Sequence, residues 1–366
     1  MRKITRASAV IIVLCMIHII GAASDDVPVP GYPRTIVDTA GRTVTIIEPI
    51  ERIIVLNPDA AEAVVMLGAG ERIVGITKEI FDRSIHLPGI EGIQVVGTKQ
   101  IGGDIDYELI GDIACGGNHG ASDMLVIGFS GVGKGYGASE VEKIVHQFGV
   151  SNVGLDFYQP ENLSREITSL GALLDREDAA SDYLDWHQER WEEIETSVAG
   201  LSATRTYLER SPKKGLGDLI TFGGGSGLND LTESAGGLNI AAGLEKSAHV
   251  TWEWVLSMDP DVVIRTMSSQ GSLGWEAGPS EDTLELQRTR DEILSRPGAE
   301  TLSATRSGRI FVIYSDMLYG MESVVGLAYL AKILHPEADI DPEIIYREYM
   351  NRLCLEHPDD RIFVYC

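Results

Sequence analysis

Short runs of consecutive apolar residues alternate along the chain with segments whose apolar side chains recur every three or four positions. Arg52–Leu56 is a β-branched run cut off by Asn57-Pro58-Asp59. Ala60–Leu67 follows as a helix, Gly68-Ala69-Gly70 ends it, and Arg72–Ile76 reads as strand again. Met124–Phe129 and Val153–Asp156 are further strands on either side of a helix over Ser139–Phe148. Short buried strands separated by helices predict a parallel sheet with helices on both faces. Ahead of them, Thr35–Asp38 and Thr43–Ile47 flank Thr39-Ala40-Gly41-Arg42 and predict a hairpin.

Residues 161–199 carry a different pattern. Leu163, Ile167, Leu170 and Leu174, then Ala180, Leu184, His187, Trp191, Ile194 and Val198, step by four and three with charges between them. Asp175 and Asp178 resemble a capping-box start, so the second helix is expected over 176–199, about 35 Å long at 1.5 Å per residue. Periodicity alone leaves it open whether this helix joins two halves or is one more layer. His187 lies on its apolar stripe and reads as a packed residue.

The second half repeats the first. Thr204–Leu208 and Asp218–Phe222 are strand candidates, Asp230–Ala235 is a helix, Trp252–Met258 is a helix, and Asp261–Arg265 is a strand. In the first half Asp106–Asp112 is a helix candidate and Asp123–Ile127 a strand. Each half therefore places a helix with an early acid, Glu108 or Glu253, before an Asp-led apolar strand.

The N-terminus changes the expected location. Arg2, Lys3 and Arg6 precede an apolar run over Ala7–Ile20, and Gly21-Ala22-Ala23 supplies small residues for cleavage. This is a secretory signal, with an uncleaved anchor as the alternative, since the run is shorter than the roughly 20 residues a spanning helix needs. An extracytoplasmic protein is expected. Across 366 residues, 55 acids against 30 bases give a net charge of −25, which disfavours nucleic acid and anionic membranes as partners. Four cysteines with no CxxC pair exclude a disulfide scaffold and a zinc ribbon.

Catalytic motifs fail on inspection. Gly128–Gly135 matches GxxxxGK, yet Gly135 stands where Ser or Thr would hold magnesium. No serine sits in a GxSxG elbow, and neither HExxH nor an EF-hand loop occurs. Cys115, His119 and Asp123 lack a fourth ligand at regular spacing. No enzyme, cofactor or resident metal is expected.

Asp38-x-x-Gly41-Arg42-x-Val44, Arg52-Ile-Ile-Val-Leu-Asn-Pro-Asp-Ala-Ala-Glu62 and Leu67-Gly-Ala-Gly-x-Arg-Ile-Val-Gly75 come in an order that resembles the periplasmic-binding-protein family. Ile167-x-x-Leu-Gly-x-Leu-Leu174, Ala235-Gly-Gly-x-Asn-Ile-Ala241 and Trp252-Glu-Trp-Val-Leu-x-x-x-Pro-Asp-Val-Val-Ile264 continue the match over about 35–345. It looks like the long-helix (class III) type that serves ABC importers of iron–siderophore complexes, haem and cobalamin.

The resemblance implies an α/β fold of two Rossmann-like lobes joined by one long connecting helix, with the ligand in the cleft between them. The expected divisions are a signal over 1–23, a leader and hairpin over 24–50, a first lobe over 51–160, a helical connector over 161–200 and a second lobe with terminal helices over 201–366. One departure is the stretch Gly116–Asp123, which reads as an insertion where the family places a Pro-Asp pair.

The function implied is a receptor that captures a small-molecule metal complex, most readily a ferric siderophore, with a corrinoid or haem as alternatives, and delivers it to a permease dimer with its ATPase subunits. The rival from another class is an exported α/β hydrolase. Ligand contacts are expected on loops at the carboxyl ends of strands. The candidates are Asn57, Lys78, Phe81, Phe129 and Tyr158 in the first lobe, and Phe222, Trp252, Arg265 and Tyr314 in the second. Aromatic faces suit a macrocycle or catecholate, and Lys78 and Arg265 suit an anionic chelate. In the family an exposed Glu on each lobe docks on permease arginines; by motif these resemble Glu108 and Glu253.

Overall fold

The computed structural model describes residues 29–82, 89, 92–116, 121–131, 134, 136–210, 215–268, 273–274, 283–356 and 361–366. The expected export signal, the start of the leader and His119 lie outside them. The hairpin forms from β1 (Arg34–Val37) and β2 (Thr43–Ile46), antiparallel with Thr35 opposite Thr45. Asp38 closes its turn by accepting the Arg42 amide at 2.8 Å and pairing with the Arg42 guanidinium at 2.7 Å.

The first lobe runs β3 (Arg52–Val55), α1 (Pro58–Met66), β4 (Ile73–Ile76), α2 (Lys78–Asp82), β5 (Gln94–Val95), α3 (Tyr107–Cys115), β6 (Met124–Gly128), α4 (Ala138–Val145) and β7 (Ser151–Gly154). Among the described residues its sheet has five strands, all parallel, in the order β5-β4-β3-β6-β7. Strand β7 starts two residues before the expected Val153. Its opening Ser151-Asn152 is polar, but Asn152 is buried and donates to the Val126 carbonyl at 3.1 Å, so a polar pair opens this edge strand of the sheet.

Two helices follow, α5 (Pro160–Leu174) and α6 (Glu177–Val198). Asp175 does not start α6 as expected. It ends α5 in the left-handed conformation at φ +55 and ion-pairs with Arg34 of the hairpin. Ala180, Tyr183, Trp186, Ile194 and Val198 are the buried side of α6. His187 is packed as expected, between Tyr183 and Trp191, and burial pushes its imidazole down to about 4, so it is neutral at pH 7.

The second lobe comprises β8 (Thr204–Arg210), β9 (Leu219–Phe222), α7 (Gly227–Ser234), β10 (Gly237–Asn239), β11 (Ser247–Val250), α8 (Trp252–Met258), β12 (Val262–Met267), α9 (Leu284–Leu294), α10 (Ser303–Arg306), β13 (Ile310–Tyr314), α11 (Ser323–Leu334), α12 (Pro342–Arg352) and β14 (Val364–Tyr365). Among the described residues its sheet has seven strands, running β11-β9-β8-β12-β13-β14 with β10 also on β8. Strands β9, β11 and β14 are antiparallel to their neighbours, unlike the all-parallel expectation. The connection between β8 and β9, residues 211–218, is too short for a helical crossover, in keeping with the antiparallel pairing of the two strands.

The two halves are built alike where their central strands start. Before β6, Asp123 pairs with Arg52 of β3 at 2.6 Å; before β12, Asp261 accepts the Arg205 amide of β8 at 3.1 Å. Lobe meets lobe beside α6. The Tyr349 hydroxyl of α12 donates to Glu62 of α1 at 2.5 Å, and Gly320, left-handed at φ +64, lets the second lobe's backbone approach Asp59. One hydrophobic core runs without a break from Ile53 and Val55 through α5 and α6 to Leu208 and Ile264. We therefore expect both lobes to unfold in a single transition. Ile194→Ala, at a fully buried α6 position, should lower stability by about 2–5 kcal/mol in urea titrations.

Candidate functional site

The carboxyl ends of β7 and β8 face each other across a cavity of ≈ 210 Å³. The first lobe supplies Tyr158, Gln159, Pro160 and Glu161 from the turn between β7 and α5. The second supplies Arg210 at the end of β8, Phe222 at the end of β9, Ser226–Leu228 at the start of α7, Lys246 and Ser247 entering β11, and Tyr319 beyond β13.

Local structure explains why these side chains converge. The backbone turns at Phe157, a fully buried aromatic residue at φ +61, a conformation that costs about 1–3 kcal/mol and directs the next residue, Tyr158, outward. The Tyr158 ring meets Phe129 edge to face at 6.4 Å and stays partly exposed. Burial, opposed by the hydrogen bond from Gln159, leaves its phenol raised, so it is a neutral hydroxyl at pH 7. On the other side, the Asn239 side chain donates to the Phe222 carbonyl at 2.8 Å, and Ser226 caps α7 by accepting the Asn229 amide at 3.1 Å. The Arg210 guanidinium rests 5.6 Å above the Phe222 ring. Burial raises the Tyr319 phenol, and Arg210 partly offsets this.

Charge sets the character of the cavity. Among the described residues neither Arg210 nor Lys246 has a carboxylate within ion-pair distance, whereas Arg42, Arg52, Arg265, Arg296 and Arg352 are each paired with one. Glu161 is the only acid among the lining residues. The arrangement can hold a ligand with an anionic edge and a flat or apolar body.

Of the expected ligand residues, the cavity brings together Tyr158 and Phe222, with Phe129 behind Tyr158. Lys78 lines a separate hollow of ≈ 310 Å³ with Gly97, Thr98 and Asp106, and pairs with Asp82 at 2.5 Å; Phe81 is exposed on the same helix. The remaining four are structural. Asn57 is fully buried and caps α1, accepting the Asp59 amide at 3.0 Å and donating to the Leu155 and Asp156 carbonyls. Trp252 is core, its indole N–H donating to the Pro297 carbonyl at 2.8 Å. Tyr314 is buried against Phe363.

Arg265 points away from the cleft into a buried network. It pairs with Glu209 and, at 3.0 Å, with Glu292; Arg296 pairs with Glu209 at 2.8 Å and stacks 4.8 Å over Trp252. Burial raises the Glu292 carboxyl, but Arg296 and Arg265 outweigh that and leave it lowered. Asp123 is likewise spent on Arg52, which removes it from the Cys115–His119–Asp123 set.

The residues missed were Arg210, Lys246 and Tyr319. Arg210 follows from running β8 two residues past Leu208. Lys246 escapes a rule keyed to carboxyl ends, because β11 is antiparallel and enters the sheet at the cleft.

Glu108 and Glu253 are both exposed and hold the same second position of α3 and α8. The caps match too: Asp106 accepts the Leu109 amide at 2.9 Å and Thr251 the Trp254 amide at 3.3 Å. The Glu253 carboxyl is lowered by its own backbone amide and by the Thr251 hydroxyl.

The family model described as periplasmic binding protein matches residues 132–317. No curated protein sequence matches the chain. Among solved structures, it is similar to a TroA-like periplasmic binding protein, FepB, from Veillonella parvula, with 22% identity, TM-score 0.70, and coverage of 91% of this chain and 99% of that one. It is similar also to the molybdate-bound periplasmic binding protein MolA of Haemophilus influenzae (18%, TM-score 0.65, 89% and 99%). A third is a periplasmic heme binding protein from Pseudomonas aeruginosa (20%, TM-score 0.57, 80% and 95%).

Removing one partner from the buried network leaves the others uncompensated, so Arg265→Met should cost about 3–5 kcal/mol of unfolding free energy in denaturant titrations. Arg210→Ala, whose cation sits in the open on Phe222, should cost about 1 kcal/mol or less.

Proposed function

Given that the chain belongs to the periplasmic binding protein family, the solute-binding components of ABC importers, we propose that its solute is a compact anionic ferric chelate of the siderophore type. The family is extracytoplasmic, and no helix among the described residues is long and apolar enough to cross a membrane. The observation that carries the ligand reading is the pair of uncompensated cations, Arg210 and Lys246, in a cleft walled by Tyr158, Phe222 and Tyr319. In a chain with 55 acids against 30 bases, such a spot selects an anion.

The aromatic faces supply apolar contact for the organic body of the ligand, and the guanidinium can bind paired oxygens in a fork. The cavity, ≈ 210 Å³, is smaller than the roughly 300–1,000 Å³ of drug-sized ligand sites. That favours a chelate gripped at one face over a haem or corrinoid enclosed whole. The solved relatives named above differ in what they hold, so the choice rests on this chain's own lining residues.

Delivery needs a fixed orientation on the permease dimer. The equivalent positions of Glu108 and Glu253, one per lobe, support a two-point anchor for arginines of the two permease subunits.

Calorimetric titration against a ferric tris-catecholate, a ferric hydroxamate, haemin and cobalamin tests the ligand. A ferric chelate should bind tightest, and Arg210→Ala should weaken it about tenfold or more. Tightest binding of haemin or cobalamin would move the assignment to that macrocycle, and turnover of an ester, peptide or phosphate panel would sink the receptor reading. For docking, Glu108→Ala/Glu253→Ala should keep ligand affinity and abolish uptake through the cognate permease; undiminished uptake refutes the anchor.

A further inference from the structure

The turn after β7 holds a conformation that its residues do not favour. Phe157 is fully buried, aromatic and left-handed, at φ +61. Its surroundings identify what holds it. Glu166, on α5 and itself buried, accepts the Phe157 amide at 2.6 Å through Oε2 and the Asp156 amide at 3.2 Å through Oε1. The same Oε1 accepts the Thr39 hydroxyl from the β1–β2 turn. Asp156 in turn accepts the Ser130 amide at 2.7 Å and the Ser130 hydroxyl at 2.6 Å. One run of buried hydrogen bonds thus ties the hairpin and α5 to the ends of β7 and β6.

The residues next to the anchored positions are Tyr158, whose ring lines the cavity, and Phe129, whose ring backs it edge to face. Neither acid lines the cavity.

We infer that Glu166 is a positioning residue for the cleft: by holding the Asp156 and Phe157 amides it aims Tyr158 across the cavity toward Phe222 and Arg210. The chemistry requires a carboxylate. All three groups facing it donate, each carboxylate oxygen taking one backbone N–H, and an ionised Glu offers acceptors only, whereas Gln in either orientation turns its NH₂ onto a backbone N–H. The inference rests on the reading of this cleft as the binding site, and it makes the outermost hairpin, through Thr39, part of what shapes the wall.

Two measurements test it, one without ligand. In protein deuterated except at Phe and Tyr, the Phe129–Tyr158 ring-to-ring NOE should be present in the wild type and lost in Glu166→Gln. The Tyr314–Phe363 contact of the second lobe should persist in both. Retention of the Phe129–Tyr158 contact in a folded Glu166→Gln overturns the inference. Should that variant not fold, Thr39→Val decides: a weakened NOE supports the inference and an unchanged one overturns it.

The second measurement is titration with a ferric tris-catecholate. Glu166→Gln and Tyr158→Ala should each weaken binding about tenfold, and the double variant no more than the larger single loss, because one acts through the other. Additive losses overturn the inference. If the wild type does not bind this probe, the ligand assignment falls and the ring-to-ring contact still decides the role of Glu166.

Discussion

The geometry of the cleft depends on the buried side of α6. Tyr183 and Trp186 pack into a core that belongs to both lobes, and each also spends its polar atom there, Tyr183 on the Met321 carbonyl and Trp186 on Glu348, both at 2.9 Å. Arg190 reaches Glu348 and Arg352 reaches Asp182, so α12 is strapped along the connector, and Tyr349 then crosses to Glu62 of the first lobe. Opening the lobes would have to shear close-packed side chains past one another, which interiors resist. The cleft is therefore nearly preformed, and selectivity falls on the side chains that line it.

Those side chains show how one strand serves two purposes. Glu209 and Arg210 are neighbours at the end of β8, and successive strand residues face opposite sides of the sheet. Glu209 goes inward and is wholly consumed by Arg265 and Arg296; Arg210 goes to the cleft and rests on Phe222. Two arginines a strand apart thus differ in kind. Arg265 is a structural charge already neutralised, and Arg210 keeps its charge clear of any carboxylate among the described residues.

That difference marks the limit of what was legible in the sequence. Apolar runs and helical periodicity located the first sheet, the long helix and α8, because burial there follows a regular period. The paired positions of Glu108 and Glu253 were legible as well, since their helices and strands repeat in order. Helix α11 was not, because eleven of its twelve residues are buried and no polar face marks its period. Asn57 and Arg265 stood at the ends of strands as ligand residues should, yet which way a polar side chain turns depends on partners distant in sequence: Leu155 and Asp156 for Asn57, Glu292 for Arg265. Phe157 and Glu166 carry no motif; their relation exists only once β7 and α5 are packed.

The last strand has a consequence for how the molecule behaves among its own copies. Strand β13 is the apolar run Ile310-Phe311-Val312-Ile313-Tyr314, and among the described residues its outer side is covered by Val364 and Tyr365 of β14 and by Phe363, whose carbonyl accepts the Tyr314 amide at 2.9 Å. A long apolar strand with free amides and carbonyls is a template on which another chain can add. Three residues of backbone thus stand between an interior strand and an adhesive rim, and any loosening of that short cover would show first as self-association, before either lobe had lost its fold.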